Sequence, residues 1–341
     1  MRKLKSVFAV ILVLTMLICV FVGCNAKYSV IEEEIYALDT VINMTVYSEN
    51  QNAVNSAKAE IRRLEALFSV TNSTSDISRV NSASGTFVSV SDECFSLIST
   101  ALDVSDKTNG NFDITIYPAV KLWGFTTLDK YVPTKEELDD VKSRIDYKQV
   151  RLDSTSKSVN IPQGVSLDLG GIAKGYISDQ ASQILKEQGV TSAILNLGGN
   201  IKLVGSKPNG ESYKIGIKSP FNDGNFGIIT AEDTNISTAG GYERYFESDG
   251  KHYHHILNPY TASPADTDVL SATVVGEKGE VCDALSTAIV VSGSKNASGI
   301  FANYPDYNFI IFTENSVFVS ENISDNFVLT DNYRDFKIII I

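Results

Sequence analysis

Two side chains near the end of the sequence have the types and spacing that metal binding requires. Asp283 and Thr287 lie four residues apart, so a helix would present both on one face. A carboxylate beside a hydroxyl suits a hard cation such as Mg²⁺, which takes oxygen ligands and leaves its other positions to water or phosphate. Alternatively, Asp283 is a charge near a helix N-terminus and Thr287 bonds back to its own helix. That alternative explains each residue alone but not their common face.

A second segment has the features of a phosphate site. Residues 167–176 run from an extended stretch through the paired glycines Gly170 and Gly171 into a predicted helix. Glycine lets the backbone approach a ligand closely, and a helix N-terminus offers free N–H groups to phosphate. Lys174 would meet the phosphate charge, and Asp168 would accept a hydrogen bond from a hydroxyl or amine of the ligand.

Two further segments are less specific. Residues 109–115 lead from a helix end into Phe112 and Asp113, with the only tryptophan of the chain, Trp123, close behind. Residue types alone favour a helix cap and core aromatic residues at this place over a ligand site. Residues 196–200 end a strand in paired glycines, where a tight turn and a ligand contact fit equally well.

Histidine and cysteine usage argues against zinc and against a disulfide framework. All three histidines fall within residues 252–255, whereas a zinc site draws histidines or cysteines from at least two segments. Cys94 and Cys282 are surrounded by apolar residues. We expect both to be buried free thiols rather than a disulfide.

The first residues predict export. A basic start precedes an apolar run over residues 7–22, which is shorter than the ~20 residues of a bilayer-spanning helix and typical of a signal-peptide core. Gly23 before Cys24 is the arrangement that a lipoprotein signal peptidase recognises. An uncleaved N-terminal anchor is the alternative, and both place the body of the chain outside the cytoplasm, held at a membrane. The predicted segments are a signal peptide over 1–23, a lipidated Cys24 with its tether over 24–34, and a single domain over 35–341.

Composition favours a folded acidic domain. The chain is 43% hydrophobic, which is enough for a large core and too much for disorder. Its formal charge is −12, and loss of three basic residues with the signal peptide would take it to about −15. An acidic surface argues against nucleic acid and against a polybasic grip on anionic lipid.

Hydrophobic patterning predicts one large mixed α/β (α+β) domain, since no repeat or linker divides residues 35–341. Strands and helices alternate to about residue 220, and strands dominate beyond Phe226. The predicted elements are a strand over 35–47, amphipathic helices over 52–68 and 91–107, a helix opened by Thr134 with Glu137 as capping box, a helix after Gly171 and a helix near 281–291.

Taken in order, these segments resemble the ApbE family, the FAD:protein FMN transferases, which are commonly exported and lipid-anchored. The resemblance extends from Leu38 to the Asp283 segment and therefore covers nearly the whole chain behind the signal peptide. It rests jointly on residues 75–81, 112–113, 123–125, 168–176 and 196–200, on His255, and on Asp283 with Thr287.

The resemblance implies a reaction in which FAD is cleaved at its pyrophosphate. FMN would be joined through its phosphate to a threonine of an exported acceptor protein, and AMP would leave. Asp283, Thr287 and the Gly171 carbonyl would hold Mg²⁺, with Asp283 and His255 as the catalytic residues. The base that takes the threonine proton stays open between His255 and an acidic residue. The FAD site would be lined by Leu38, Asn111, Phe112, Asp113, Asp168, Lys174 and His255.

The chain departs from the family pattern in one loop. Where the family usually has His-Ile-x-Asp-Pro-x-Thr-Gly, residues 255–262 carry Asn258 and Ala262. Ala239 also replaces a common serine, and Thr71 stands where an aromatic residue often lies near the flavin. Two alternatives therefore stay open: an FAD pyrophosphatase that gives free FMN and AMP, and a flavin-binding lipoprotein without chemistry.

Overall fold

The computed structural model describes residues 28–83, 85–127 and 129–341. The predicted signal peptide and the predicted lipidation site at Cys24 lie outside these residues. The first strand begins at Ile31, inside the segment predicted as a tether, and pairs with the second strand along its whole length. Within the described ranges, no helix combines the length and the apolar character needed to cross a membrane.

Most helices lie in the first half of the chain or near residue 280. The α-helices are α1 (Gln51–Phe68), α2 (Asp76–Ser82), α3 (Asp92–Lys107), α4 (Tyr117–Leu122), α5 (Lys135–Lys142), α6 (Ala173–Glu187), α7 (Gly279–Ser292) and α8 (Ala297–Asn303). Short 3₁₀ turns span Ile114–Ile116, Tyr147–Gln149, Glu321–Asn326 and Asp331–Tyr333.

The strands form one large sheet and several small ones. They are β1 (Ile31–Ala37), β2 (Thr40–Val46), β3 (Val88–Ser89), β4 (Arg151–Asp153), β5 (Ser158–Asn160), β6 (Ala193–Leu197), β7 (Asn200–Val204), β8 (Tyr213–Lys218), β9 (Asn225–Ala231), β10 (Asn235–Gly240), β11 (Tyr245–Ser248), β12 (Lys251–His254), β13 (Leu257–Asn258), β14 (Ser263–Pro264), β15 (Val269–Gly276), β16 (Asn308–Thr313), β17 (Ser316–Val319), β18 (Phe327–Leu329) and β19 (Lys337–Ile340).

The large sheet separates two apolar cores. Its nine strands run in the order β1-β2-β6-β7-β10-β15-β16-β17-β19, antiparallel except for the β17–β19 pair. Side chains alternate between the faces of a strand, so Val274 of β15 packs under the helices whereas Val275 packs against the small β8-β9-β18 sheet. Helices α1, α6 and α7 cover the first face, with Ile61, Ile177 and Leu285 fully buried there. The prediction of one mixed α and β domain is confirmed.

Most predicted helices are confirmed to within two residues. The helix over 52–68 is α1, the helix over 91–107 is α3, and the helix near 281–291 is α7. The capping box is present as well, because Thr134 accepts from the Glu137 N–H while the Glu137 carboxylate accepts from the Thr134 N–H. These elements have strong local signals, namely 3.6-residue periodicity and a capping side chain.

Two predictions about strands are wrong. The single strand over 35–47 is a hairpin, because Leu38 and Asp39 adopt left-handed φ values of 57° and 54° and reverse the chain. The Leu38 N–H is held by the Glu65 carboxylate at 2.6 Å. The predicted alternation of strands and helices up to residue 220 also fails: within the described chain, β6, β7 and β8 follow one another without an intervening helix.

Candidate active site

Two glycines bring helices α6 and α7 into backbone contact. A methyl group at Gly175 would overlap the carbonyl oxygen of Gly279, and one at Gly279 would overlap the carbonyl oxygen of Gly175. At this crossing the Gly175 N–H donates to Oδ2 of Asp283 at 3.2 Å, across helices that are distant in sequence. The close approach therefore fixes the Asp283 carboxylate at the start of α6.

The Asp283 carboxylate is buried, with an exposed fraction of 4%. Its Oδ1 accepts from the Asn200 side-chain amide at 3.1 Å, and Asn200 in turn accepts from the Ser237 hydroxyl at 2.5 Å. The Lys174 ammonium lies 3.9 Å from the same Oδ1 and donates to the Gly170 carbonyl at 3.2 Å. The 196–200 segment thus makes a tight turn, and its last residue, Asn200, orients Asp283.

Thr287 lies one helical turn after Asp283 and faces Gly171. Its Oγ1 is 3.7 Å from the place where a Gly171 Cβ would sit, and the Phe112 ring edge is 3.1 Å from the same point. Within the described part of the chain, neither the Thr287 hydroxyl nor the Gly171 carbonyl has a hydrogen-bond partner. By contrast, the neighbouring Ser286 hydroxyl does bond back, to the Asp283 carbonyl at 2.8 Å.

The structural alternative for this pair is wrong. Helix α7 is preceded by Lys278 as its N-cap and carries Glu280 as the acid of its first turn, so Asp283 lies beyond the capping positions. A carboxylate with spare lone pairs, an unpartnered hydroxyl and an unpartnered carbonyl form an all-oxygen donor set, which fits a hard cation such as Mg²⁺. The described residues contain no group of three His, Cys, Asp or Glu side chains placed to bind a metal.

The Asn81 side chain holds the loop that precedes α6 by two hydrogen bonds. Its side chain donates to the Leu167 carbonyl at 2.9 Å and accepts from the Leu167 N–H at 2.7 Å. The Asp168 N–H then donates to the Ile114 carbonyl at 2.8 Å, and the Asp168 carboxylate accepts from the Gly170 N–H at 2.7 Å. Burial raises the pKa of Asp168, although the Gly170 N–H and the charge of Lys174 oppose that rise.

His255 lies at the base of the β11–β12 hairpin. Its backbone N–H and its Nδ1 both contact the Arg244 carbonyl, at 3.0 and 3.1 Å. A carbonyl oxygen only accepts, so Nδ1 carries the proton and Nε2 keeps a lone pair. Burial, helped by the charge of Arg244, lowers the pKa of His255 to about 3, so the ring is neutral at physiological pH.

The depressed pKa predicts a measurable acid sensitivity. The unfolded chain binds a proton at His255 below its ordinary pKa of about 6.5, whereas the folded chain does not, so stability is lost as the pH falls from about 6.5 toward 3. We expect the His255→Gln variant to lose less stability than the wild type between pH 7 and 5, by at most about 2 kcal/mol. Urea unfolding at both pH values measures this difference, and equal losses in the two proteins would contradict it.

Phe112 and Asp113 have different surroundings. Phe112 is buried against Gly171, whereas the Asp113 carboxylate is occupied by the Thr115 N–H at 2.7 Å, the Thr115 hydroxyl at 2.6 Å and the Tyr147 N–H at 3.0 Å. Burial raises the pKa of Asp113. Asn111 donates its side-chain amide to the Thr108 carbonyl at 2.8 Å. A cavity of about 410 Å³ adjoins this segment, lined by Asp106, Asn109, Gly110, Asp113, Ile145, Asp146, Tyr147, Lys148, Pro259 and Tyr260.

Leu38 lies in the turn between β1 and β2, two positions before Thr40, whose side chain closely approaches Gly198. Among the described residues, Leu38 shares no hydrogen bond with Asp283, Lys174 or His255. The structure thus brings Asp283, Thr287, Gly171, Lys174 and Phe112 together.

The loop over residues 255–262, which departs from the family pattern at Asn258 and Ala262, has a defined conformation. The Asn258 side chain accepts from the Tyr260 N–H at 2.8 Å, and its carbonyl accepts from the Ala262 N–H at 2.8 Å. The Trp123 indole donates to the Ala262 carbonyl at 2.8 Å. Ala262 holds a left-handed φ of 55°, where glycine would be less strained. Trp123 is therefore a core aromatic residue, as residue types alone favoured.

Sequence reasoning missed Arg244 and Asn81 as site residues. Arg244 follows the Gly240-Gly241 pair and stands opposite His255 only because the hairpin pairs Tyr245 with His254. Asn81 belongs to a segment that the resemblance already included, but its contact with Leu167 spans 86 positions. A cation after a glycine pair in an acidic chain is the only local signal for Arg244.

Comparison with known proteins identifies the family. The model of the ApbE family matches residues 38–311. The FAD:protein FMN transferase of Klebsiella pneumoniae (strain 342) is 34% identical, over 80% of this chain and 86% of that protein. The FAD:protein FMN transferase of Treponema pallidum (strain Nichols) is 30% identical, over 96% and 98% respectively. The crystal structure of the ApbE protein from Thermotoga maritima aligns with a TM-score of 0.83 and 32% identity, over 87% of this chain and 99% of that one. By sequence and by fold, this chain belongs to the ApbE family.

Proposed function

We propose that this chain is a magnesium-dependent FAD:protein FMN transferase. It would cleave FAD, attach FMN through a phosphoester to a threonine of an acceptor protein and release AMP. The observation that carries the proposal is the all-oxygen set of Asp283, Thr287 and Gly171 with the Lys174 ammonium beside it, in a chain whose relatives bear this name.

The metal would be held by the Asp283 carboxylate, the Thr287 hydroxyl and the Gly171 carbonyl. When bound there, Mg²⁺ would supply positive charge to the phosphoryl oxygens. Lys174 supports the neutralisation of phosphate charge: among the described residues its ammonium donates to the Gly170 carbonyl at 3.2 Å and lies 3.9 Å from the Asp283 carboxylate. Together with the N–H groups at the start of α6, Lys174 would offset the charge of two phosphates in an acidic protein.

The chemistry needs one bond made and one broken. The threonine oxygen bonds to the phosphorus of the FMN half while the bond from that phosphorus to the bridging oxygen breaks, and the bridging oxygen leaves with AMP. Positioning and charge stabilisation provide most of the catalysis in such transfers. The threonine proton must pass to a group within hydrogen-bond reach. The Nδ1–H of His255 donates to the Arg244 carbonyl, so the lone pair on Nε2 can accept that proton, which supports His255 in that role.

One assay tests the proposal against its alternatives. The full-length protein in detergent is incubated with FAD, Mg²⁺ and a candidate acceptor domain, with a threonine-to-alanine variant of that acceptor as the control. We expect AMP release together with an FMN mass gain on the intact acceptor only. AMP with free FMN and no mass gain on any acceptor would establish a pyrophosphatase instead. No AMP at all would overturn both enzymatic functions.

We also propose that the domain is exported and tethered by lipid at Cys24. Support comes from the sequence, namely the basic start, the apolar run over 7–22 and Gly23 before Cys24. In a bacterial host fed with labelled palmitate, the wild type should carry the label and fractionate with membranes, whereas Cys24→Ala should lose the label. Cys19→Ala is the matched control and should keep it. Labelling that survives in Cys24→Ala would contradict this proposal.

A further inference from the structure

We infer that the Arg244 guanidinium is a phosphate-binding group of this site, which contacts the pyrophosphate of FAD from the side of His255. The inference rests on the proposed function for the identity of the substrate. Lys174 is the cationic side chain beside Asp283. Arg244 would be a second one, on a different structural element.

The backbone of Arg244 is already part of the site. Its carbonyl accepts both hydrogen bonds that orient His255, at 3.0 and 3.1 Å. The β11–β12 register pairs Tyr245 with His254, so Arg244 and His255 are the next residues across the base of the hairpin. The Arg244 side chain therefore leaves the backbone beside the His255 imidazole, which the Arg244 carbonyl orients.

Among the described residues, no carboxylate lies within salt-bridge distance of the Arg244 guanidinium. Arg244 is exposed, and within the described ranges its guanidinium donates one long hydrogen bond, of 3.4 Å, to the Phe125 carbonyl. Of the six other arginines in the described ranges, Arg63, Arg79, Arg144 and Arg334 pair with a carboxylate, whereas Arg62 and Arg151 form no salt bridge.

The surroundings of Arg244 concentrate positive charge. Burial and the Arg244 charge together lower the pKa of Lys130, and the charges of Lys174 and Arg244 both act on Asp168 and on His255. Lys130 itself is held by the Gly124 and Thr127 carbonyls at 2.8 and 2.9 Å. The Asp168 carboxylate offsets part of this positive charge, and the remaining repulsion between the cations is relieved when a further anion binds. Such a cluster in a chain of net charge −12 favours an anionic ligand.

The chemistry of the guanidinium group indicates that the anion is a phosphate. Its planar fork donates two parallel hydrogen bonds to phosphate oxygens, a geometry that an ammonium cannot reproduce. Lys174 and the oxygen cluster of Asp283 belong to α6 and α7, whereas Arg244 and His255 belong to the hairpin. A pyrophosphate between these two elements would be contacted from both sides, and the fork would stabilise the charge that develops as the P–O bond breaks.

The test measures ligand binding separately from turnover. FAD and riboflavin, which has no phosphate, are titrated by flavin fluorescence into the full-length wild type and into Arg244→Gln in EDTA, where metal-dependent turnover is blocked. We expect the FAD dissociation constant of the variant to rise about 10- to 100-fold, as for loss of a charge-assisted hydrogen bond, with riboflavin binding unchanged. Arg334→Gln is the matched control, because its exposed guanidinium pairs with Asp331 on the surface, and it should bind both ligands like the wild type.

Turnover provides a second readout. Arg244→Ala should release AMP more slowly than the wild type, and added guanidinium ions should restore part of its rate. Arg244→Lys should also release AMP more slowly than the wild type, because an ammonium lacks the planar fork. Equal FAD affinity in Arg244→Gln and the wild type, or an equal loss of riboflavin affinity, would overturn the inference. A wild type that binds FAD but releases no AMP would overturn the proposed function alone, since the FAD-to-riboflavin comparison would still decide the role of Arg244.

Discussion

Asp283→Ala is expected to abolish metal-dependent turnover, lowering AMP release by about 100-fold or more, because it removes the only carboxylate of the oxygen cluster. The variant should also show no saturable Mg²⁺ response in calorimetric titration with FAD present. Loss of the carboxylate leaves the Gly175 N–H and the Asn200 amide without their acceptor, so thermal unfolding is measured in parallel.

A second variant and a surface control keep the Asp283 prediction decisive. Asp283→Asn retains an acceptor oxygen at the same place but lacks the charge, so it should fold and still lose the metal response. Asp331→Ala removes a carboxylate whose side chain is 82% exposed, and it should keep wild-type turnover. Full activity in a folded Asp283→Ala or Asp283→Asn protein would show that the metal is bound elsewhere.

Gly175→Ala is expected to destabilise the domain by about 3 kcal/mol and to remove nearly all activity. The added methyl would overlap the Gly279 carbonyl oxygen, which is backbone and cannot rotate away, so α6 and α7 must separate. Separation moves Asp283 away from Gly171, and a displacement of about 1 Å at a catalytic group can cost 10²-fold in rate. Urea unfolding and AMP release measure the two effects.

Gly299→Ala is the matched control for Gly175→Ala. Gly299 lies within helix α8, and a methyl group there would meet no atom within 4 Å. The same substitution should therefore leave activity unchanged and stabilise the protein by roughly 0.5–1 kcal/mol, because alanine loses less backbone entropy than glycine in a helix. A Gly175→Ala variant that is as stable and active as Gly299→Ala would refute the close crossing of the two helices.

The common helix face of Asp283 and Thr287 was predictable from sequence because its signal is local. Asp283 and Thr287 share a helix face whenever their segment is helical, and the apolar periodicity around them predicts that helix. Gly170, Gly171 and Lys174 are likewise read from one short run before a helix. Joining these two segments into one site required the family resemblance, since periodicity does not say which helix α7 crosses.

Other features lacked any local signal. Leucine disfavours left-handed backbone, so nothing in the sequence indicates that Leu38 turns the chain, and the carboxylate that holds its N–H comes from Glu65. The contact of Asn81 with Leu167 and that of Trp123 with Ala262 span 86 and 139 positions. Arg244 reaches the site through the register of a hairpin. Such tertiary pairings depend on the finished fold.

The large sequence separation between these contacting residues determines when the active site forms during folding. The carboxylate of Asp283 is oriented by groups 83 and 108 positions earlier in the chain, and closing loops of that length is entropically costly until the intervening sheet has formed. A nascent or half-folded chain therefore lacks the oriented Asp283 carboxylate, and heating should end catalysis once the contacts of Asp283 with Gly175 and Asn200 are lost.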